Sequence, residues 1–186
     1  YQYAGAPGTS GSFAEIEAIS GTAYNDAINA AASTAAVTLV GNAGADTITG
    51  GSGSDALDGS EGDDSLSGGA GNDTLTGGQG ADWLIGGTGD DSLSGGEGQD
   101  AFAILSGAGV DSVVGGETGP DYDSLLLTDP AQAVTVTFTG SEAGSYQYAG
   151  GGSGTFAEIE NIEGSGAADS MNAALALTDI DLRGYA

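Results

Sequence analysis

The chain has no cysteine and no histidine, and among its 186 residues a single basic side chain, Arg183, faces 27 acidic ones. Each absence closes off a class of chemistry. Without thiols there is no disulfide, no thiolate nucleophile and no thiolate metal site, and without imidazole the other common transition-metal ligand is gone. A formal charge of -26 argues against nucleic acid and anionic membranes as partners, since both are gripped through Lys and Arg. No stretch is long and apolar enough to insert into a bilayer, and no basic region followed by an apolar run marks a secretory signal. Aromatic residues make up only 6%. Self-repulsion at this charge density opposes compaction, and with so modest an apolar content the metal-free chain struggles to offset its conformational entropy. A bound cation is the staple that remains.

What the chain does have is glycine, 37 residues of it, much of it in strict register. From Gly41 to Ala103 seven nine-residue units follow one another without a break: GNAGADTIT, GGSGSDALD, GSEGDDSLS, GGAGNDTLT, GGQGADWLI, GGTGDDSLS and GGEGQDAFA. The fourth residue is always Gly, the sixth Asp, and the eighth Ile, Leu or Phe. Glycine at positions one, two and four is expected to supply positive φ, which turns carbonyl oxygens inward. The sixth-position carboxylate adds to them, and such oxygens suit a hard cation with six to eight coordination positions. The last three residues alternate polar, apolar, polar, so each reads as a short strand with one buried side chain. Ile48, Leu57, Leu66, Leu75, Leu84, Leu93 and Phe102 are therefore the expected core. An acidic disordered linker would not keep this register.

The pattern GGxGxDxUx, with U a large apolar residue, resembles the calcium-binding nonapeptide of the repeats-in-toxin (RTX) proteins. The resemblance implies an all-β fold, a right-handed parallel β-roll in which two units make one coil of roughly 18 residues, with a short antiparallel capping region. It also implies that each ion lies between loops two units apart, which both give their Asp, one adding its first and third carbonyls and the other its second and fourth. The implied pairs are Asp46/Asp64, Asp55/Asp73, Asp64/Asp82, Asp73/Asp91 and Asp82/Asp100. The implied carbonyls belong to Gly41, Ala43, Gly50 and Ser52; to Gly59, Ser60, Glu61 and Gly62; to Gly68, Gly69, Ala70 and Gly71; to Gly77, Gly78, Gln79 and Gly80; and to Gly87, Gly89, Gly96 and Gly98. Asp26, Asp111, Asp121, Asp123 and Asp169 are further candidates in irregular units, for a total of about five to eight Ca²⁺ ions of the kind extracellular modules hold.

A longer repeat overlies the short one. Tyr1-Gln2-Tyr3-Ala4-Gly5 recurs as Tyr146-Gln147-Tyr148-Ala149-Gly150, and Phe13-Ala14-Glu15-Ile16-Glu17 as Phe156-Ala157-Glu158-Ile159-Glu160. Gly21 matches Gly164, Asp26 matches Asp169 and Leu39 matches Leu182, all 143 residues apart. This organisation divides the chain into 1–40 (end of a preceding module, with one diverged unit at Gly21–Asp26), 41–127 (the roll with irregular closing units), 128–163 (an antiparallel meander) and 164–186 (the start of the next copy). Within the meander, Val134–Thr139, Ser145–Ala149 and Thr155–Ile162 read as strands. The Ala-rich Asn29–Ala36 segment reads as a calcium-free turn. By this reading the chain is a piece of a tandem array, Asp169 is half of a site completed by the following module, and Tyr1–Ala4 leaves an exposed strand edge.

Other motifs carry less. The Gly-x-Gly runs lack the helix and Lys of a phosphate loop, and Asp121-Tyr122-Asp123 lacks the Gly and distal Glu of a helix-loop-helix calcium loop. No carboxylate pair is set apart for acid–base work; Glu15, Glu17, Glu158 and Glu160 read as the solvated face of a strand. Trp83 should point outward beside Ile85, either covered by a capping segment or free to stack on a ligand. Three functions follow from the resemblance. The first is a non-catalytic, calcium-ordered spacer of a large surface or adhesive protein, exported by a type I system and folding outside the cell beside further copies of itself. The second is the folding and secretion appendage of an extracellular enzyme. The third is a carbohydrate- or ice-binding face, disfavoured because the outward pairs Thr47/Thr49, Ser65/Ser67, Trp83/Ile85 and Ala101/Ala103 form no regular ladder. The ligand of any adhesive face is left open by the sequence.

Overall fold

The computed structural model of the chain describes residues 16–107, 109–116, 122–172 and 181–183. Among them there is no helix, and so none long and apolar enough to cross a membrane. The strands are β1 (Ala18–Ser20), β2 (Ala27–Asn29), β3 (Thr38–Ala43), β4 (Thr47–Thr49), β5 (Ala56–Glu61), β6 (Ser65–Ala70), β7 (Thr74–Gln79), β8 (Trp83–Thr88), β9 (Ser92–Glu97), β10 (Ala101–Ile104), β11 (Val110–Gly116) and β12 (Ser124–Leu127), followed by β13 (Val134–Phe138), β14 (Gly144–Tyr148), β15 (Ser153–Ala157), β16 (Asn161–Glu163), β17 (Ser170–Asn172) and β18 (Asp181–Arg183).

Successive strands from β1 to β12 fall alternately on two walls. One wall has ten strands in the order β1-β3-β5-β7-β9-β11-β15-β14-β13-β17, the other eight in the order β18-β16-β12-β10-β8-β6-β4-β2. From β1 to β12 pairing along each wall is parallel and in phase with the sequence: Leu57 stands opposite Leu75, and Leu66 opposite Leu84. The chain is thus an all-β parallel β-roll. The register is held because slipping by one residue would turn every leucine out and every Ser or Thr in.

The expected core residues are buried. Ile48, Leu66, Leu75, Leu84 and Phe102 have no exposure, and Leu57 and Leu93 have 2% and 1%. Each such leucine contributes about 1.5–3 kcal/mol by leaving water. In the first coils, Ile28 and Leu39 extend the same column. Val37 takes the place of an Asp at the end of the Ala-rich turn, and it too is buried.

Past β12 the construction changes. β13, β14 and β15 form an antiparallel meander, as expected, but β15 also pairs in parallel with β11. The meander is therefore spliced into one wall of the roll. Its core is aromatic: Phe138 meets Phe156 edge-on at 5.6 Å, and Tyr146 meets Tyr148 at 6.2 Å. Thr155–Ile162 is not one strand. It breaks at Glu158 (φ 57°) into β15 on the ten-stranded wall and β16 on the eight-stranded one, because the chain must turn a corner to bury Ile159 and Ile162. Trp83 points outward and remains 40% exposed. Tyr1–Ala4, Glu15 and Asp121 lie outside the described residues.

Candidate metal centres

The loops that link the walls stack into two edges. On the edge running from the ten-stranded to the eight-stranded wall, the carboxylates of Asp26, Asp46, Asp64, Asp82, Asp100, Asp123 and Glu160 follow one another. Each after Asp26 accepts a hydrogen bond from the backbone N–H of the one before. Asp26 N–H donates to Asp46 Oδ1 at 2.7 Å, Asp46 to Asp64 at 2.7 Å, Asp64 to Asp82 at 2.8 Å, Asp82 to Asp100 at 2.9 Å, Asp100 to Asp123 at 2.8 Å and Asp123 to Glu160 Oε2 at 2.7 Å. On the opposite edge the rungs are Asp55 to Asp73 at 2.8 Å, Asp73 to Asp91 at 2.8 Å and Asp91 to Asp111 at 3.1 Å. Asp55 itself receives the N–H of Val37 at 2.9 Å.

These rungs use one oxygen of each carboxylate. The other, Oδ2, is buried and has no hydrogen-bond partner in Asp46, Asp64, Asp73 and Asp82, all four of which are at most 3% exposed. A buried charged oxygen without a partner costs several kcal/mol, so its presence at the same place in coil after coil points to a missing counter-charge. The glycines show where the space lies. A Cβ at Gly59 would collide with Asp64 Oδ2 and lie 2.6 Å from the carbonyl oxygen of Gly77 in the next coil. First-position glycines are therefore required for room. Their φ is not positive, contrary to the expectation, and the left-handed backbone is confined to the second and fourth positions, as at Gly78 (117°) and Gly80 (122°). There the carbonyl oxygens of Ser60 and Gly62 face the Cα positions of Gly78 and Gly80. Carboxylate and carbonyl oxygens thus converge on the gap between Gly59–Asp64 and Gly77–Asp82.

Electrostatics carry the same signature. Desolvation raises the pKa values of Asp46, Asp64, Asp73 and Asp111, and pushes Asp82 up to about 7 and Asp91 to about 6. The rung hydrogen bonds pull the other way, and the neighbouring carboxylates of each ladder add to the rise. Without a cation these groups resist ionisation; with one they would not. The donor set, hard oxygens only, fits Ca²⁺. Among the described residues no three acidic side chains gather at one point, because each gap offers two carboxylates and its remaining oxygens are carbonyls.

Residues 38–66 and 67–102 match the family model of the RTX calcium-binding nonapeptide repeat (4 copies). Over residues 38–102 the coil is built of RTX nonapeptide repeats. No curated protein matches the chain.

The carboxylate ladders run on past the matched RTX repeats. The rungs Asp91–Asp111 and Asp100–Asp123 cross insertions and keep the ladders going. Glu160 was expected on a solvated face; it is instead 9% exposed and receives the Asp123 N–H across 37 residues of sequence. The loop Glu158–Glu160 is shorter than a nonapeptide loop, and the longer side chain of Glu makes up the difference. The only sequence signal was Glu itself at the corner after a strand. On the other edge the ladder ends differently: the buried Tyr146 hydroxyl donates to Asp111 Oδ2 at 2.9 Å, so a phenol takes the oxygen that faces the next gap. Asp169 Oδ1 accepts from Val134 N–H and Ser165 Oγ, while its Oδ2 is buried without a partner.

Proposed function

We propose that this is a non-catalytic spacer module of a large secreted surface or adhesive protein, ordered by Ca²⁺ outside the cell. The observation that carries the reading is the row of buried, unpartnered Oδ2 atoms of Asp46, Asp64, Asp73 and Asp82. An ion in the gap between Gly59–Asp64 and Gly77–Asp82 would be held by Asp64 and Asp82, by the carbonyls of Ser60 and Gly62, and by that of Gly77. This assigns the second and fourth carbonyls to the earlier loop and the first to the later one. The same arrangement applies to the pairs Asp46/Asp64 and Asp82/Asp100, and on the other edge to Asp55/Asp73 and Asp73/Asp91. Ca²⁺ supplies charge neutralisation and cross-linking of adjacent coils; the protein supplies the oxygens and the dry setting.

The export route and the tandem partners belong to the same proposal. RTX repeats are typical of type I-secreted proteins, and a chain with this charge and so little apolar surface can travel unfolded where calcium is scarce. The 143-residue recurrence, with Gly21, Asp26, Asn29 and Leu39 matched by Gly164, Asp169, Asn172 and Leu182, supports neighbouring copies of the module in the parent protein. Titrating Ca²⁺ into chelator-treated protein should turn a disordered far-ultraviolet circular dichroism spectrum into a β spectrum. Mg²⁺ should do so poorly, since it gives up its waters reluctantly. A β spectrum left unchanged by exhaustive chelation would sink the proposal.

A further inference from the structure

We propose that successive modules join with a half-turn about the axis of the roll, so that whatever one module shows on one side the next shows on the other. This rests on the tandem reading above and adds to it a rule for how the copies face. The observation is the fate of the two copies of one sequence within this chain. In the first, β1 and β3 pair in the register Ala18 to Thr38, Ile19 to Leu39 and Ser20 to Val40. In the second, β16 and β18 pair in the register Asn161 to Asp181, Ile162 to Leu182 and Glu163 to Arg183. Every partner is displaced by the same 143 residues, so the local structure is repeated. The walls are not. β1 and β3 lie on the ten-stranded wall and β16 and β18 on the eight-stranded wall, while β2 and its copy β17 are exchanged in the opposite sense.

The cause is the hairpin. Each strand-to-strand step normally crosses the roll, but the steps β13 to β14 and β14 to β15 return on the same wall. Of the fifteen steps between β1 and β16, two do not cross, leaving an odd number of crossings. An odd number inverts the phase. One period therefore advances six and a half coils, about 31 Å at the usual strand spacing, with roughly 10 Å more on the wall that carries the two extra strands. Because the next module carries its extra strands on the opposite wall, the wedge introduced by one copy is cancelled by the next.

The consequence is an alternating surface. Trp83 and Ile85 sit on the outer face of the eight-stranded wall; their copies would face the other way in the neighbouring module and the same way only two modules on, about 70 Å along the axis. The carboxylate edges exchange likewise: Asp26 lies on the longer ladder and its copy Asp169 at the opposite edge, bonded to the start of β13.

The test uses this chain extended by three further 143-residue periods, with Ser65→Cys and its equivalent in every copy. Ser65 is exposed and the chain has no other cysteine, so small gold clusters coupled through maleimide mark one point per module. In calcium, electron micrographs should show two rows of gold on opposite sides, about 70 Å apart within a row. A single row with about half that spacing overturns the half-turn and leaves the rod standing. Irregular spacing overturns the tandem-rod reading, and this inference with it. A second array labelled at Thr74→Cys, on the other wall, must give the same alternation; one row there also overturns the proposal.

Discussion

Between Gly41 and Ala103 each coil buries two leucine-sized side chains and two carboxylates; between Val134 and Ile162 the core holds Phe138, Tyr146, Tyr148 and Phe156, with Ile159 and Ile162. The first region is thin. Its walls are held apart by one apolar residue per unit, and its edges carry buried carboxylates, several with one oxygen left without a hydrogen-bond partner. The second is a conventional apolar core whose polar tips find protein partners: Tyr146 donates to Asp111, and Tyr148 to the Ile104 carbonyl at 2.9 Å. On the proposed function, one region leans on bound ions and the other on its own side chains, within one continuous pair of sheets.

The strongest way to break this comparison is to remove the metal. Chelation should abolish amide protection across β4 to β10 while Val136, Tyr146 and Phe156 keep measurable protection, read by hydrogen exchange with mass spectrometry. Uniform loss or uniform retention would dissolve the distinction. The reverse experiment is Phe156→Ala, expected to cost about 3–5 kcal/mol at saturating calcium and to leave the number of bound ions unchanged. A fall in stoichiometry would show that the aromatic core and the ladders are one unit.

Next comes a contrast inside the coil. Asp73 is 2% exposed and takes part in two rungs, whereas Asp58, at the end of its unit, stands in no rung and accepts a hydrogen bond from Ser60 Oγ at 3.0 Å. Asp73→Asn should raise the calcium midpoint on the order of tenfold and lower stoichiometry, while Asp58→Asn should do neither. Equal effects in a calorimetric titration would count against the register. Tyr146→Phe should cost about 1.5–3 kcal/mol, the range for a hydrogen bond to a charged group, without changing the ions bound on the longer ladder.

The smallest effect is that of pH on metal-free protein. Asp82 and Asp91 have folded pKa values near 7 and 6, above the ordinary 3.8, so the folded coil binds more protons than the unfolded chain in that window. Its stability should rise as pH falls from about 8 towards 4, and be lost as pH rises through 6 to 7. With calcium present the sign reverses, because protons compete for the same oxygens. A metal-free spectrum that gains no β signal on mild acidification would contradict the burial of these groups.

The seven regular units were legible because everything that fixes them is local. A Gly that must leave room, a Gly that must turn left-handed, a carboxylate and a leucine recur within nine residues, and stacking identical units satisfies all of them at once. Leu66 and Leu84, or Asp64 and Asp82, could be placed from spacing once the family resemblance set two units to a coil. The first-position glycines were read correctly as required, but for the wrong reason: their need is the space occupied by Asp Oδ2 and a neighbouring carbonyl, which is a property of two stacked coils.

What spacing could not supply is any contact that skips a segment of irregular length. Glu160 reaches Asp123 only because the meander loops out and returns beside β11, and Tyr146 finds Asp111 for the same reason. The sequence, through its nine-residue period and the family resemblance that period carries, determined a calcium-type β-roll, its core column and its ladder of carboxylates, since these depend on short-range geometry repeated in phase. The tertiary structure decided how each ladder ends and on which wall the second copy of the module is built. Those depend on how many times the chain crosses between walls, and a hairpin changes that number without leaving a mark in the nine-residue code.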